Sequence, residues 1–213
     1  VLMGFWGVFW MSLISFYGMQ YTSAVNATIL FNSNPLFVVA LVVLLRWEKF
    51  SFLAVTGILL GMCGIILVSG VVADIHFLGD FFVLLGAFGW AVYTVLGYQS
   101  RTFSSLSVTT SSLFWGLVFF ALIMWRDVPH VSGSAWMWIC YIGIIPTAAA
   151  FLFYVKAVDV IGSTKASVFQ YLAPAVAVIL SLGFGIEKVS VYQIAGIAFI
   201  ILGIELTRRV ETL

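Results

Sequence analysis

Apolar runs of roughly twenty residues, each closed by a short polar joint, recur eight times along this chain. A helix rises about 1.5 Å per residue, so such a run matches the roughly 30 Å hydrocarbon core of a bilayer. The pattern predicts eight membrane-spanning helices over about 2–21, 25–45, 52–71, 80–99, 107–125, 135–157, 164–184 and 191–209. The expected fold is an all-α integral membrane protein, with joints too short to hold an extramembrane domain. Ser51 and Ser190 stand just before the third and eighth runs, where a hydroxyl can cap the first turn. Trp47, Trp125, Trp136 and Trp138 sit at run ends, the depth that amphipathic rings favour.

Composition sharpens this picture. The chain is 63% hydrophobic and only 8% charged, with a mean hydropathy of +1.19. Soluble domains carry about a quarter charged residues, so lipid must be the solvent for most of these side chains. A net charge of +1 argues against nucleic acid as a partner, since no clustered basic face is available. Cys63 and Cys140 lie in apolar runs without a CxxC spacing or a nearby His, and read as small buried hydrophobes. His76 and His130 fall in joints and read as solvated residues. No metal site or cofactor is expected, and the opening residues show neither the basic segment nor the small-residue cleavage site of a signal peptide.

The chain also states one pattern twice. A shift of 139 positions carries Thr22–Glu48 onto Ile161–Glu187 without a gap. Ala27 then meets Ala166, Pro35 meets Pro174, Glu48 meets Glu187, Lys49 meets Lys188 and Ser51 meets Ser190. Gly57 and Gly64 fall on Gly196 and Gly203 in the same register. Apolar matches are cheap in such a chain, but the prolines and charges are scarce, so this is an internal repeat.

Helices one to three of the eight therefore correspond to helices six to eight. The offset of five is odd, so each helix should cross the membrane opposite to its counterpart, as in an inverted repeat. Residues 1–71 would form the last three helices of a first five-helix unit, and 72–213 a complete second unit. Two further helices are expected before Val1, giving ten in the whole molecule. With the start of the first helix cytoplasmic, Arg46, Lys49, Arg101, Lys156, Lys165, Arg208 and Arg209 fall inside. Arg126 and Lys188 fall outside with Asp74, His76 and Asp80, a split the positive-inside rule prefers. The C-terminus is accordingly expected in the cytoplasm.

FYGMQYTSAVNATILFNSNP, followed by WEKFS and GILLGMCGIIL, resembles the first half of an EamA-type member of the drug/metabolite transporter superfamily. IPTAAAFLFYVKAVDVIGSTKASVFQYLAP, followed by GIEKVSVYQIAGIAFIILG, resembles the second half. The resemblance spans nearly the whole chain. It implies a ten-helix transporter of small metabolites in the cell membrane, a bacterial inner membrane above all, with a central cavity between two halves.

Paired prolines are the best sequence pointer to a binding site in such a repeat. Pro35 and Pro174 lie about ten residues into their helices, each removing a backbone donor near mid-membrane, and are the expected hinges. Around them helix two offers Asn26, Asn32, Ser33 and Asn34, and helix seven offers Ser167, Gln170 and Tyr171 on the face of Pro174. Helix four adds Trp90 and Tyr93, while helix six adds Thr147, Phe151 and Tyr154. The expected solute cavity is lined by Asn34, Trp90, Tyr93, Tyr154, Ser167, Gln170 and Tyr171. The competing reading is interhelical hydrogen bonding, worth about 0.6 kcal/mol per pair and at most about 2. Gly57, Gly61, Gly64, Gly196 and Gly203 read as close helix packing. Glu48 and Glu187, at helix ends beside a Lys, read as structural.

Three functions compete on these residues. A transporter of a small polar or amphipathic metabolite, an exporter or exchanger working by alternating access, explains the polar groups beside the prolines. A non-transporting subunit or inactive fragment explains an incomplete first unit, but not those groups. An integral membrane enzyme needs HExxH, paired carboxylates or a nucleophile–base pair, and none of these is written here.

Overall fold

Hydrocarbon offers no partner to peptide groups, so a chain this apolar must close its hydrogen bonds within each segment. A computed structural model, which describes residues 1–70, 76–125, 133–184 and 190–209, is helical in every regular element. A π-helical stretch, Gly4–Trp10, leads into α1 (Met11–Gly18). It is followed by α2 (Ala24–Phe31), α3 (Asn34–Leu44), α4 (Phe52–Ser69), α5 (Phe77–Gln99) and α6 (Ser105–Met124). Then come α7 (Gly133–Ile142), a second π-helical stretch (Gly143–Ala148) and α8 (Ala149–Ile161). The described order closes with α9 (Ser163–Phe169), α10 (Leu172–Gly183) and α11 (Val191–Arg208).

Six segments are long and apolar enough to cross a membrane: Ala24–Leu44, Phe52–Ser69, Phe77–Gln99, Ser105–Met124, Ser163–Ser181 and Val191–Arg208. The protein is thus a multi-pass helical membrane protein. The two other predicted runs, about 2–21 and 135–157, are built as composites of α- and π-helix. Phe52, Phe77 and Val191 are about four-fifths exposed on the bundle, as apolar side chains facing lipid should be. Cys63 and Cys140 share that surface. The expectation that they are buried fails, because their helices turn those positions outward; they remain unpaired thiols.

Ser51 and Ser190 do cap their helices. Ser51 Oγ accepts from Ala54 N at 3.3 Å, and Ser190 Oγ from Gln193 N at 3.2 Å. The second cap is reciprocal, since the Gln193 side chain accepts from Ser190 N at 2.9 Å.

The tightest packing in the described bundle joins α4 to α11. A methyl group placed on Gly57 would stand 2.6 Å from the Gly203 carbonyl oxygen, and one on Gly64 2.6 Å from that of Gly196. Numbers rise along α4 as they fall along α11, so the two helices are antiparallel. Only glycine lets two backbones meet this closely. Ile58, Ile65, Val168, Tyr171, Ile200 and Ile204 fill the core on either side of the seam.

The registers of the two halves also coincide. Both π-helical stretches begin 139 positions apart, at Gly4 and Gly143, and α4 and α11 begin at Phe52 and Val191 and end at Ser69 and Arg208. Arg126, Lys188 and Glu187, with Asp74 and His130, lie outside the described residues. At the end of the bundle holding the start of α5, Asp80 accepts from Thr22 at 2.6 Å and from Asn26 at 3.1 Å. Asn26 is thereby a helix-end anchor and not a mid-membrane group.

An aromatic cluster at two broken helices

At both prolines expected as hinges, the α-helical ladder is interrupted within a continuing span. Pro35 lies in the first turn of α3 and Pro174 in the first turn of α10, where a missing N–H leaves no intrahelical bond unmade. The first break is closed by its own side chains. Pro35 cannot donate to the Phe31 carbonyl, and Asn34 Nδ2 donates there instead at 3.0 Å. Asn32 Nδ2 donates to Thr28 O at 2.8 Å, and Ser33 Oγ to Leu30 O at 2.7 Å. The second break uses backbone. Gln170 O, four residues before Pro174, accepts from Ala173 N at 3.0 Å. That substitution leaves the Gln170 side chain unspent.

Three of the expected residues come together. Trp90 stacks on Tyr93 with ring centroids 5.2 Å apart and on Tyr154 at 4.9 Å, while Phe151 meets Trp90 edge-on at 5.3 Å. Tyr93 lies flat over Gly7 of the first π-helical stretch, a contact that a side chain there would block. Thr94 Oγ1 donates to Trp90 O at 2.9 Å and stands 2.7 Å from the Tyr154 hydroxyl. Its proton being spent on that carbonyl, Tyr154 is the donor to Thr94. The Gln170 side chain and the Trp90 indole face the same Tyr154 oxygen. Gln170 thus joins the cluster from the second break.

The remaining expected residues stand differently. Tyr171 is fully buried, but its ring packs on Gly61 within the α4–α11 core. Ser167 is fully buried and spends its hydroxyl proton on Thr164 O at 2.8 Å. Asn34 is fully buried with its amide nitrogen committed to Phe31, as above. Thr147 is exposed and donates to Ile142 O at 2.8 Å within its own helix, so it leaves the cluster.

Several buried polar atoms here have no protein partner among the described residues. They are Asn34 Oδ1, Gln170 Nε2, Trp90 Nε1 and the Tyr93 hydroxyl; the hydroxyls of Tyr171, Ser15, Thr109 and Ser163 stand likewise elsewhere in the bundle. Burying an unpaired polar atom costs about 1–3 kcal/mol, so such a concentration calls for a role. Thr94 is the member that sequence reading missed, although it lies four residues after Trp90 on the same helical face. Ser112, which faces the Tyr93 hydroxyl, gave no signal beyond an ordinary Ser/Thr run. A cleft of about 610 Å³ between residues 1–3, α5 and α6 reaches Met3, Val108 and Ser112, and the first two pack against the aromatic cluster.

Known proteins resemble this chain in sequence and in fold. One solved crystal structure superposes with a TM-score of 0.83 at 22% identity, over 96% of this chain and 74% of that one, which speaks for the fold. The uncharacterized transporter YyaM of Bacillus subtilis (strain 168) is 28% identical over 216 residues, covering 96% of this chain and 70% of its own length. YetK of the same organism, also an uncharacterized transporter, is 26% identical over 219 residues, with coverages of 97% and 66%. An uncharacterized transporter of Acidianus ambivalens is 28% identical over 195 residues, with coverages of 90% and 76%. The chain thus spans about two thirds to three quarters of the length of these relatives. The model of the EamA-like transporter family matches residues 1–70 and 77–209, and the chain belongs to that family.

Proposed function

We propose that this protein carries a small polar or amphipathic solute across the cell membrane, and that the Trp90–Tyr93–Tyr154 cluster with Gln170 receives it. The observation that carries the reading is the set of unpartnered buried polar atoms gathered beside two helix breaks. In lipid such atoms are costly unless a solute or water meets them. Family membership and transporter-named relatives support transport over catalysis.

The proposed mechanism is alternating access between two inverted units hinged at Pro35 and Pro174. Its support is the antiparallel seam of α4 and α11, the shared register of the π-helical stretches, and breaks at equivalent positions. Eight membrane crossings in this chain belong to the same reading, with the two π-containing composites as the further pair. So does a cytoplasmic C-terminus, which a reporter fused after Leu213 tests: activity only on the outer side would refute it. The binding assignment is tested in reconstituted vesicles of the full-length protein, with solute flux as the readout. A lost neutral hydrogen bond costs about 0.5–1.5 kcal/mol, so Gln170→Ala should weaken apparent affinity roughly threefold to tenfold. Unchanged affinity with a lowered melting temperature would make Gln170 interhelical glue.

A further inference from the structure

A second cleft, of about 390 Å³, opens at the end of the bundle where α3, α5, α8 and α11 finish and α9 begins. Trp47 and Tyr98 form an aromatic wall, their ring centroids 6.0 Å apart. Three cations line it from three elements, Arg101 beyond α5, Lys165 in α9 and Arg208 in α11, together with the carboxylates of Glu48 and Asp159. Gly162 makes this convergence possible. Its φ of 86° turns the chain from α8 directly into α9, so that Asp159 and Lys165 share one wall.

These charges are not equally free. Glu48 accepts from Thr164 at 2.7 Å, and Arg208 is held by Glu205 at 2.8 Å. Among the described residues the ion pairs are those of Glu205 with Arg208 and Arg209, so neither Arg101 nor Lys165 is paired with a carboxylate. Arg101 is nonetheless held in place. Its Nη1 donates to the Tyr98 hydroxyl at 2.7 Å, and its guanidinium lies 4.7 Å from that ring's centroid. A guanidinium so positioned keeps further donors for a planar pair of oxygens, and an ammonium beside it adds a point charge.

We propose that this cleft binds a phosphodiester group through Arg101 and Lys165, as in the headgroup of an anionic phospholipid or a free phosphate compound. With Glu205 and Arg209, which pair with Arg208 or its partner, counted in, four cations face three carboxylates, which suits one negative charge. Asp159 in the wall disfavours a doubly charged anion. Trp47 and Tyr98 belong at headgroup depth, and basic pockets between helix ends are suited to lipid phosphates. The inference stands apart from the transport reading, because it concerns a different cleft and a different ligand.

The test is thermal unfolding of the full chain in detergent with added phosphatidylglycerol, a neutral glycolipid of the same acyl chains, or glycerophosphoglycerol, the soluble phosphodiester of that headgroup. Phosphatidylglycerol should raise the midpoint by about 5 °C at roughly a hundredfold excess over Kd, and the glycolipid should not. Arg101→Gln and Lys165→Gln should each raise the half-effect concentration about tenfold, with Arg101→Lys losing less. Both variants should keep the wild-type midpoint without lipid, and if Arg101→Gln does not fold, Lys165→Gln decides alone. A shift with glycerophosphoglycerol that the variants lose would assign the site to a soluble phosphodiester. Equal shifts in wild type and variants, or with the glycolipid, would overturn it.

Discussion

The α4–α11 seam and the Trp90 cluster lie in one bundle and are built on opposite terms. At the seam, side chains are absent where the backbones meet, and Thr207 spends its hydroxyl on the Gly203 carbonyl at 2.9 Å, while the Tyr171 hydroxyl in the adjoining core is the one group left over among those named above. In the cluster, large rings fill the space between helices, and several polar atoms have no partner among the described residues. The first arrangement has one good geometry and resists change. The second leaves hydrogen-bonding capacity in reserve, as the proposed solute site would require. Under the transport proposal, structure and solute handling would fall to different pairs of helices.

Substitutions should separate the two regions by size of effect. Gly203→Leu should be the most damaging, because its Cβ would meet the Gly57 carbonyl and stand 2.7 Å from Gly61 N. A loss of about 3 kcal/mol or more is expected, read as disappearance of the monodisperse species on gel filtration. Within the cluster, Thr94→Val keeps the shape but removes the acceptor of the Tyr154 hydroxyl. It should cost about 1–2 kcal/mol, visible as a lowered thermal midpoint. Ser190→Ala should cost about 1 kcal/mol and Ser51→Ala less, because only the first breaks a reciprocal cap; paired melting curves would show the order. Gln170→Ala should be the mildest in stability, within about 0.5 kcal/mol, because its Nε2 has no protein bond to lose. If Gln170→Ala instead destabilised as much as Thr94→Val, the contrast between spent and unspent groups would collapse.

The sequence made much of this legible where one residue type has a single physical use. Paired glycines and capping serines announced the seam and the helix starts, because close approach and first-turn capping are demands that few residues meet. The aromatic cluster was partly legible, since Trp90, Tyr93 and Tyr154 are costly groups at bilayer depth. Tyr171 was placed with them by spacing alone, and spacing fixes a face without telling which neighbour covers it. Asn34 illustrates a further limit: its amide nitrogen serves the carbonyl that Pro35 abandons, a local debt invisible without backbone geometry. The cysteines faced lipid for the same reason, because in a bundle this apolar no periodicity separates an inner from an outer hydrophobe.

The two π-helical stretches carry a chronology. A π-turn holds about one residue more than the α-turn it replaces, so it amounts to a single residue inserted into a helix. Here both insertions begin at the same place in units that align without a gap, at Gly4 and Gly143. If one unit was copied to make the other, the extra residue was already present in the parent. The bulge that now lays Gly7 under Tyr93 is then older than the duplication, and the second copy inherited it in the opposite half of the molecule.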